Sequence, residues 1–173
     1  MYCQKETKKV LEFSISLEQC QINKDIFDGN FNGCELAGKD LTNAYFPYGK
    51  FYKGNLHQAQ LQNAILNNSR FDHSNLSLAD LEDANLYFAS LVKANLAGTN
   101  LSGANLQYAN LSYANLRGAI LAKTDLRGTN LFQANLTGAI FAQTNLYQAR
   151  NVNYGRAYLD ELSIDIDGLP CIK

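Results

Sequence analysis

The chain has 173 residues and a mass of 19.2 kDa, enough for one domain with little room for a second. A hydrophobic share of 46% excludes wholesale disorder. With 15 basic and 16 acidic residues the net charge is -1, which disfavours both a strongly basic nucleic-acid binder and a strongly acidic decoy. Charged residues make up only 18%, against about 25% in a typical domain, so other polar groups must cover the surface.

The N-terminal stretch Met1 to Val10 carries Lys5, Glu6, Lys8 and Lys9, and no apolar run with a small-residue cleavage site follows. A secretory signal and a membrane span are therefore not expected, and the cytoplasm is the expected location. Residues Leu11 to Leu17 alternate with period two, which predicts a strand. Cys3, Cys20, Cys34 and Cys171 form no C-x-x-C pair, and neither histidine stands at zinc-finger spacing to them. They are expected to be free, mostly buried thiols. A Cys3–Cys20 bridge stays open, whereas a bridge to Cys171 would require the chain ends to meet.

From Ile26 to Leu146, 25 positions lie five residues apart, and every one is Leu, Phe or Ile. Two residues before each stands Ala, Gly, Ser, Thr or Cys in 23 of the 25, with Lys24 and Lys39 the departures. The residue between is Asn or Asp in 16 of the 25, so the unit reads as in Ala104-Asn105-Leu106-Gln107-Tyr108. Period five is neither the 3.6 of a helix nor the 2.0 of a strand. A coil that turns by a fixed angle every five residues buries the large and the small residue and exposes the other three. Stacked coils then pair backbone to backbone. Lys39 cannot lie unpaired in a dry core, so its pentad must bulge or its side chain must turn outward.

This pattern, unbroken over residues 24–149, resembles the pentapeptide-repeat family, with a cyanobacterial flavour. The resemblance implies an all-β fold: a right-handed four-sided parallel β-helix of about six coils, with 20 residues per coil. It divides the chain into an N-terminal cap (1–23), the β-helix (24–149) and a C-terminal cap (150–173). Columns of like residues spaced by 20 agree: Asn55, Asn75, Asn95, Asn115 and Asn135; Phe31, Phe51 and Phe71; Gly98, Gly118 and Gly138. Both ends of a solenoid are exposed sheet edges that need covers. At the C-terminal end, Leu162 to Ile166 predicts a strand stopped by Gly168 and Pro170, and Ala157 to Leu162 is open to a short capping helix instead. Either end is a possible dimerisation surface, so a monomer and an end-to-end homodimer are both expected states.

The outward positions carry little chemistry of catalysis. On a four-sided coil His57 lies beneath Ser77 and His73 between Lys53 and Lys93, and neither has a carboxylate to orient it. No Gly-rich phosphate loop precedes a helix. A non-enzymatic protein without cofactor or metal is expected. One face carries Lys50, Lys53, Arg70, Lys93 and Arg150 against Asp72. The opposite face carries Asp40, Asp80, Glu82 and Asp83 against Lys123. Tyr48, Phe88 and Tyr108 share one outward column near Tyr45, Tyr87 and Tyr147, and Tyr52 stands across the next corner. Exposed aromatics beside basic residues mark interaction surfaces. The expected binding residues are Tyr48, Lys50, Tyr52, Lys53, Arg70, Tyr87, Phe88, Lys93 and Tyr108, and the expected partner is a protein. The resemblance also brings in a branch that mimics DNA before type II topoisomerases. That branch needs a long acidic rod, which a net charge of -1 disfavours. Single-stranded nucleic-acid binding through the Tyr/Lys edge is a third reading.

Overall fold

A computed structural model describes residues 20, 25, 28–159 and 163. From Asp25 to Arg150, each residue before a core position pairs in parallel with the residue 20 further on, as in Asn55 with Asn75 and Asn75 with Asn95. The coil is therefore four pentads long. The chain forms a right-handed four-sided parallel β-helix. Its core is one continuous column of Leu and Phe side chains flanked by the small residues, from Phe31 to Ala149. Phe31, Phe51 and Phe71 stack face to face up one wall, with ring centroids 4.9 and 4.6 Å apart.

Backbone accounting explains the pentad. In residues 55–59 the N–H groups of Asn55, Leu56 and Gln58 donate to carbonyls of neighbouring coils, at 2.8, 2.7 and 3.0 Å. The N–H of Ala59 donates at 3.0 Å to the carbonyl of Leu56, closing a four-residue turn at the corner. Gln58, the third residue of that turn, has φ 56°, the signature of a type II turn. The remaining N–H, that of His57, donates at 3.2 Å to Oδ1 of Asn55. A buried or half-buried backbone donor needs an acceptor. The Asn or Asp ahead of the core residue supplies it through a local side-chain bond. The same bond recurs in pentad after pentad, from Asn30 to Asn145.

The asparagine column adds a second use. Nδ2 of Asn75, Asn95 and Asn115 each donates to Oδ1 of the asparagine one coil below, at 3.1, 3.1 and 3.0 Å. The ladder ends on Glu35, which accepts from Asn55. Where Thr replaces Ala in the small column, its buried hydroxyl donates to a carbonyl in the coil below, as Thr99 does to Leu76 at 2.8 Å. Lys39 keeps the turn bond to Leu36 at 3.1 Å while its side chain is exposed. The pentad does not bulge, and the lysine turns outward.

Two expectations are corrected. Cys20 and Cys34 form a disulfide, with Cα atoms 5.5 Å apart, so these two are not free thiols and Cys20 does not bridge Cys3. Cys34 fills the small inward position of its pentad. At the other end, β1 (Ile140–Phe141) pairs in parallel with β2 (Tyr158–Leu159). Residues 158–159 are therefore strand, not the start of a capping helix, because the open edge of the last coil offers them hydrogen bonds. The predicted strands at 11–17 and 162–166 lie outside the described residues, apart from Ser163. Ser163 is fully buried. Its hydroxyl enters the corner at Phe141, where the N–H of Thr144 donates to it at 3.1 Å and it donates to the carbonyl of Phe141 at 3.4 Å.

Candidate interaction surface

The fold turns sequence position into surface position. The wall over Phe31, Phe51 and Phe71, called here the Phe31 face, is bounded by two corners. One holds residues 48, 68, 88, 108, 128 and 148; the other holds 33, 53, 73, 93, 113 and 133. All nine expected binding residues lie on this face or at these two corners.

The geometry sorts them into separate groups. At the first corner Phe88 and Tyr108 stack, with centroids 5.2 Å apart and planes at 20°. Tyr87 stands edge-on to both, at 4.6 and 5.9 Å. The Tyr108 ring rests against Gly128, where a Cβ would lie 2.5 Å from it. Tyr48 is in the same column but is separated from Phe88 by Asn68, so it does not join the stack. At the second corner Tyr52 meets His73 edge-on at 5.5 Å, and the Lys53 ammonium lies 5.2 Å from the Tyr52 ring centre. Lys93 belongs to a third group, 5.9 Å from the ring of Tyr113, which is itself edge-on to Phe132 at 5.5 Å. Tyr113 and Phe132 were missed by the sequence reading. Adding 20 repeatedly to Lys53 reaches Tyr113, and to Tyr52 reaches Phe132, so column arithmetic carries that signal.

The basic strip is less free than its sequence implies. Lys50 pairs with Asp28 at 2.8 Å. Arg70 donates through Nε and Nη2 to one oxygen of Asp72, at 3.1 and 3.0 Å. Asp72 is 7% exposed although it sits at an outward turn position. Its other oxygen accepts from the Ser90 hydroxyl and from the Val92 N–H at 3.2 Å. Ser90 stands where other pentads have Asn, so Val92 would lack its local acceptor, and Asp72 supplies one from the coil below. Asn32 does the same for the Tyr52 N–H, at 2.8 Å. Asp80 on the opposite face is likewise engaged, accepting from Gln62, Glu82 and Asn100. Asp28, outside that count, offsets Lys50 and makes the transverse charge separation weaker than the residue count alone implies, whereas the neutral donors to Asp80 leave its charge in place. Elsewhere, hydrogen bonding to Asp125 and then its charge raise the pKa of Arg127.

His57 meets the Ser77 hydroxyl through Nδ1 at 2.8 Å, as the column arithmetic placed it. That hydroxyl also donates to Asn75 at 2.8 Å. No group of three or more metal-ligating side chains occurs among the described residues. No described helix is long and apolar enough to cross a membrane.

This architecture, a closed stack of near-identical coils presenting patterned flat walls, defines a β-helical repeat protein. Pentapeptide repeats are matched in 8 copies over residues 54–87, 79–114 and 109–150, more than half of the chain. The chain belongs to the pentapeptide-repeat family. It is similar in structure to Rfr23, a pentapeptide repeat protein from the cyanobacterium Cyanothece 51142. The identity is 25% and the TM-score 0.53, covering 86% of this chain and 99% of that one. The fold is shared with full-length QnrB1, a plasmid-mediated fluoroquinolone resistance protein. Here the identity is 22% and the TM-score 0.56, covering 86% of this chain and 83% of that one. No curated protein matches the sequence.

Proposed function

We propose that this protein is a non-enzymatic interaction rod that docks a protein partner on the Phe31 face and its two aromatic corners. One observation carries the reading. The last exposed position of every described pentad from 28 to 148 is left-handed, with φ between 53° and 71°. Gly, Asn and Asp take that conformation at least cost, while larger side chains pay for it. At the two corners remote from the Phe31 face, four of six such positions are Gly, Asn or Asp: Gly38, Gly98, Gly118 and Gly138 on one, and Asn43, Asn63, Asp83 and Gly103 on the other. At the 53 corner only Gly33 is of this kind. Lys53, His73, Lys93 and Tyr113 occupy most of the rest. At the 48 corner Asp28, Asn68 and Gly128 are of this kind, while Tyr48, Phe88 and Tyr108 are not. Phe88 and Tyr108 at that corner and Tyr113 at the 53 corner are 52%, 47% and 46% exposed, so about half of each side chain faces solvent. Backbone cost concentrated at half-exposed aromatic and basic side chains points to function.

The paired basic residues and the net charge of -1 weigh against a duplex-DNA mimic. The Cys20–Cys34 bond is in tension with the cytoplasmic location expected from sequence, since reducing compartments rarely retain disulfides. The test is an affinity pull-down comparing the wild type with Phe88→Asn/Tyr108→Asn, with Tyr52→Ala/Lys53→Glu and with Lys123→Asn. The first two should lose the same partner and the last, on a remote corner, should keep it. Equal recovery by all four proteins overturns the proposal.

A further inference from the structure

At the N-terminal end of the Phe31 face lies a depression of about 300 Å³, lined by Asn32, Lys50, Tyr52 and Arg70. All four side chains carry N–H or O–H donors, and none is a carboxylate. Lys50 and Arg70 are bridge partners on successive coils, so two cations stand one strand spacing apart, about 4.8 Å at the backbone. Like charges directly opposite one another in a sheet repel. Asp28 and Asp72 each take one of them, but neither acid lines the depression.

Two of the donors are also held in place. Arg70 spends Nε and Nη2 on Asp72, whose other oxygen is tied to Ser90 and Val92. The guanidinium is thereby aimed, with its Nη1 hydrogens left over. Asn32 accepts from the Tyr52 N–H through Oδ1, which leaves its Nδ2 as the remaining donor. The Lys50–Asp28 pair is about half exposed on both sides, at 44% and 53%. Exposed pairs of this kind are weak and exchange readily.

We propose that this depression binds one oxyanion, the carboxylate or phosphate of an acidic segment on a peptide partner. Arg70 and Lys50, each shared with its acid, supply charge-assisted donors, and Tyr52 and Asn32 supply further donors. The assignment rests on the interaction reading above and names the chemistry of its partner. The end-on edge of the Arg70 guanidinium, Nη1 with the second hydrogen of Nη2, stands beside an ammonium and suits a carboxylate or phosphate, and charge-assisted hydrogen bonds are the stronger kind.

The experiment is a ¹⁵N NMR titration of the full chain at constant ionic strength, which keeps general screening fixed. Inorganic phosphate is added first. Two peptides follow, alike except for phosphoserine or glutamate at one position. Saturable shifts are expected at the Tyr52 amide, the Asn32 side-chain amide and the Arg70 Nε–H. Affinity should be about tenfold lower in Lys50→Gln and in Arg70→Gln. It should be unchanged in Lys123→Gln, on a remote corner. Whichever peptide binds more tightly, saturation at these residues supports the site and identifies the oxyanion. Shifts that never saturate, that spread equally to Lys93, Arg117 and Arg150, or that survive Arg70→Gln overturn it. Spectra of the variants away from this face report whether the fold is intact, and Tyr52→Phe, which removes only a hydroxyl, gives a milder second probe. The titration contains no protein partner. Its failure, with a partner still lost from the Phe88→Asn/Tyr108→Asn variant, would remove the oxyanion site and leave the interaction reading standing.

Discussion

An asparagine ahead of a core leucine has a different value in different columns, and the distinction is visible bond by bond. Asn75 accepts from the Ser77 N–H, the Ser77 hydroxyl and the Asn95 amide, and donates to Asn55. Asn85 makes the local bond, accepting from the Tyr87 N–H. Removing a partner from a half-buried network leaves its other members unpaired, at a cost of about 1–3 kcal/mol. Asn75→Ala should therefore lower stability by about 2 kcal/mol and Asn85→Ala by about 1 kcal/mol or less. Urea denaturation of the two variants measures the difference, and equal losses would show that the ladder adds nothing. The same residue-level accounting explains Asp72. It looks like a stray acid in a basic strip, yet it is the acceptor that a serine at position 90 fails to supply.

Among the elements, the coils are nearly interchangeable and the ends are not. Each inner coil is covered by its neighbours, whereas a terminal coil needs a cover. The structure shows two devices. The Cys20–Cys34 bond fastens the entering chain to the first coil across a sequence separation of 14. At the far end β2 pairs with β1, and Ser163 inserts its hydroxyl into the corner where the ordinary turn bond would close. A disulfide closing a loop of this size contributes about 3 kcal/mol in the chain-entropy account. Reductant should thus lower the urea midpoint of the wild type and leave that of a Cys20→Ser/Cys34→Ser variant where it is. An unchanged wild-type midpoint would mean that the bond closes no stabilising loop.

On the scale of the whole molecule, stability lies in a single unbranched core, so one cavity is felt by the coils on both sides. Phe51 is fully buried and stacked between Phe31 and Phe71. Truncating such a ring costs about 3–5 kcal/mol. Phe51→Ala should unfold at a much lower urea concentration, whereas Phe88→Asn, on the surface, should change the unfolding free energy by about 1 kcal/mol or less. If the two losses were alike, the division into core and display columns would fail.

The coil was legible in the sequence because period five admits one inward large residue and one inward small residue per unit, and columns spaced by 20 then set the coil length. Lys39 was legible for the same reason, as a charge at an inward position has to leave. The lateral placement of the nine candidate residues followed from the same arithmetic. What they touch did not. Asp72 reaching Val92, Asp28 taking Lys50, and Asn68 parting Tyr48 from Phe88 depend on side-chain directions and on the coil below. Cys20 meeting Cys34 is a contact outside the repeat, and no periodicity extends to position 20. Sequence by itself determined the repeat and the core, because neither a helix nor a strand buries one position in five and a regularly turning coil does, and the four-sided coil that the family resemblance implied then placed the display columns. Tertiary structure decided which charges are spent, which rings stack and which donors remain, because these are set by contacts between residues brought together only when the coils close.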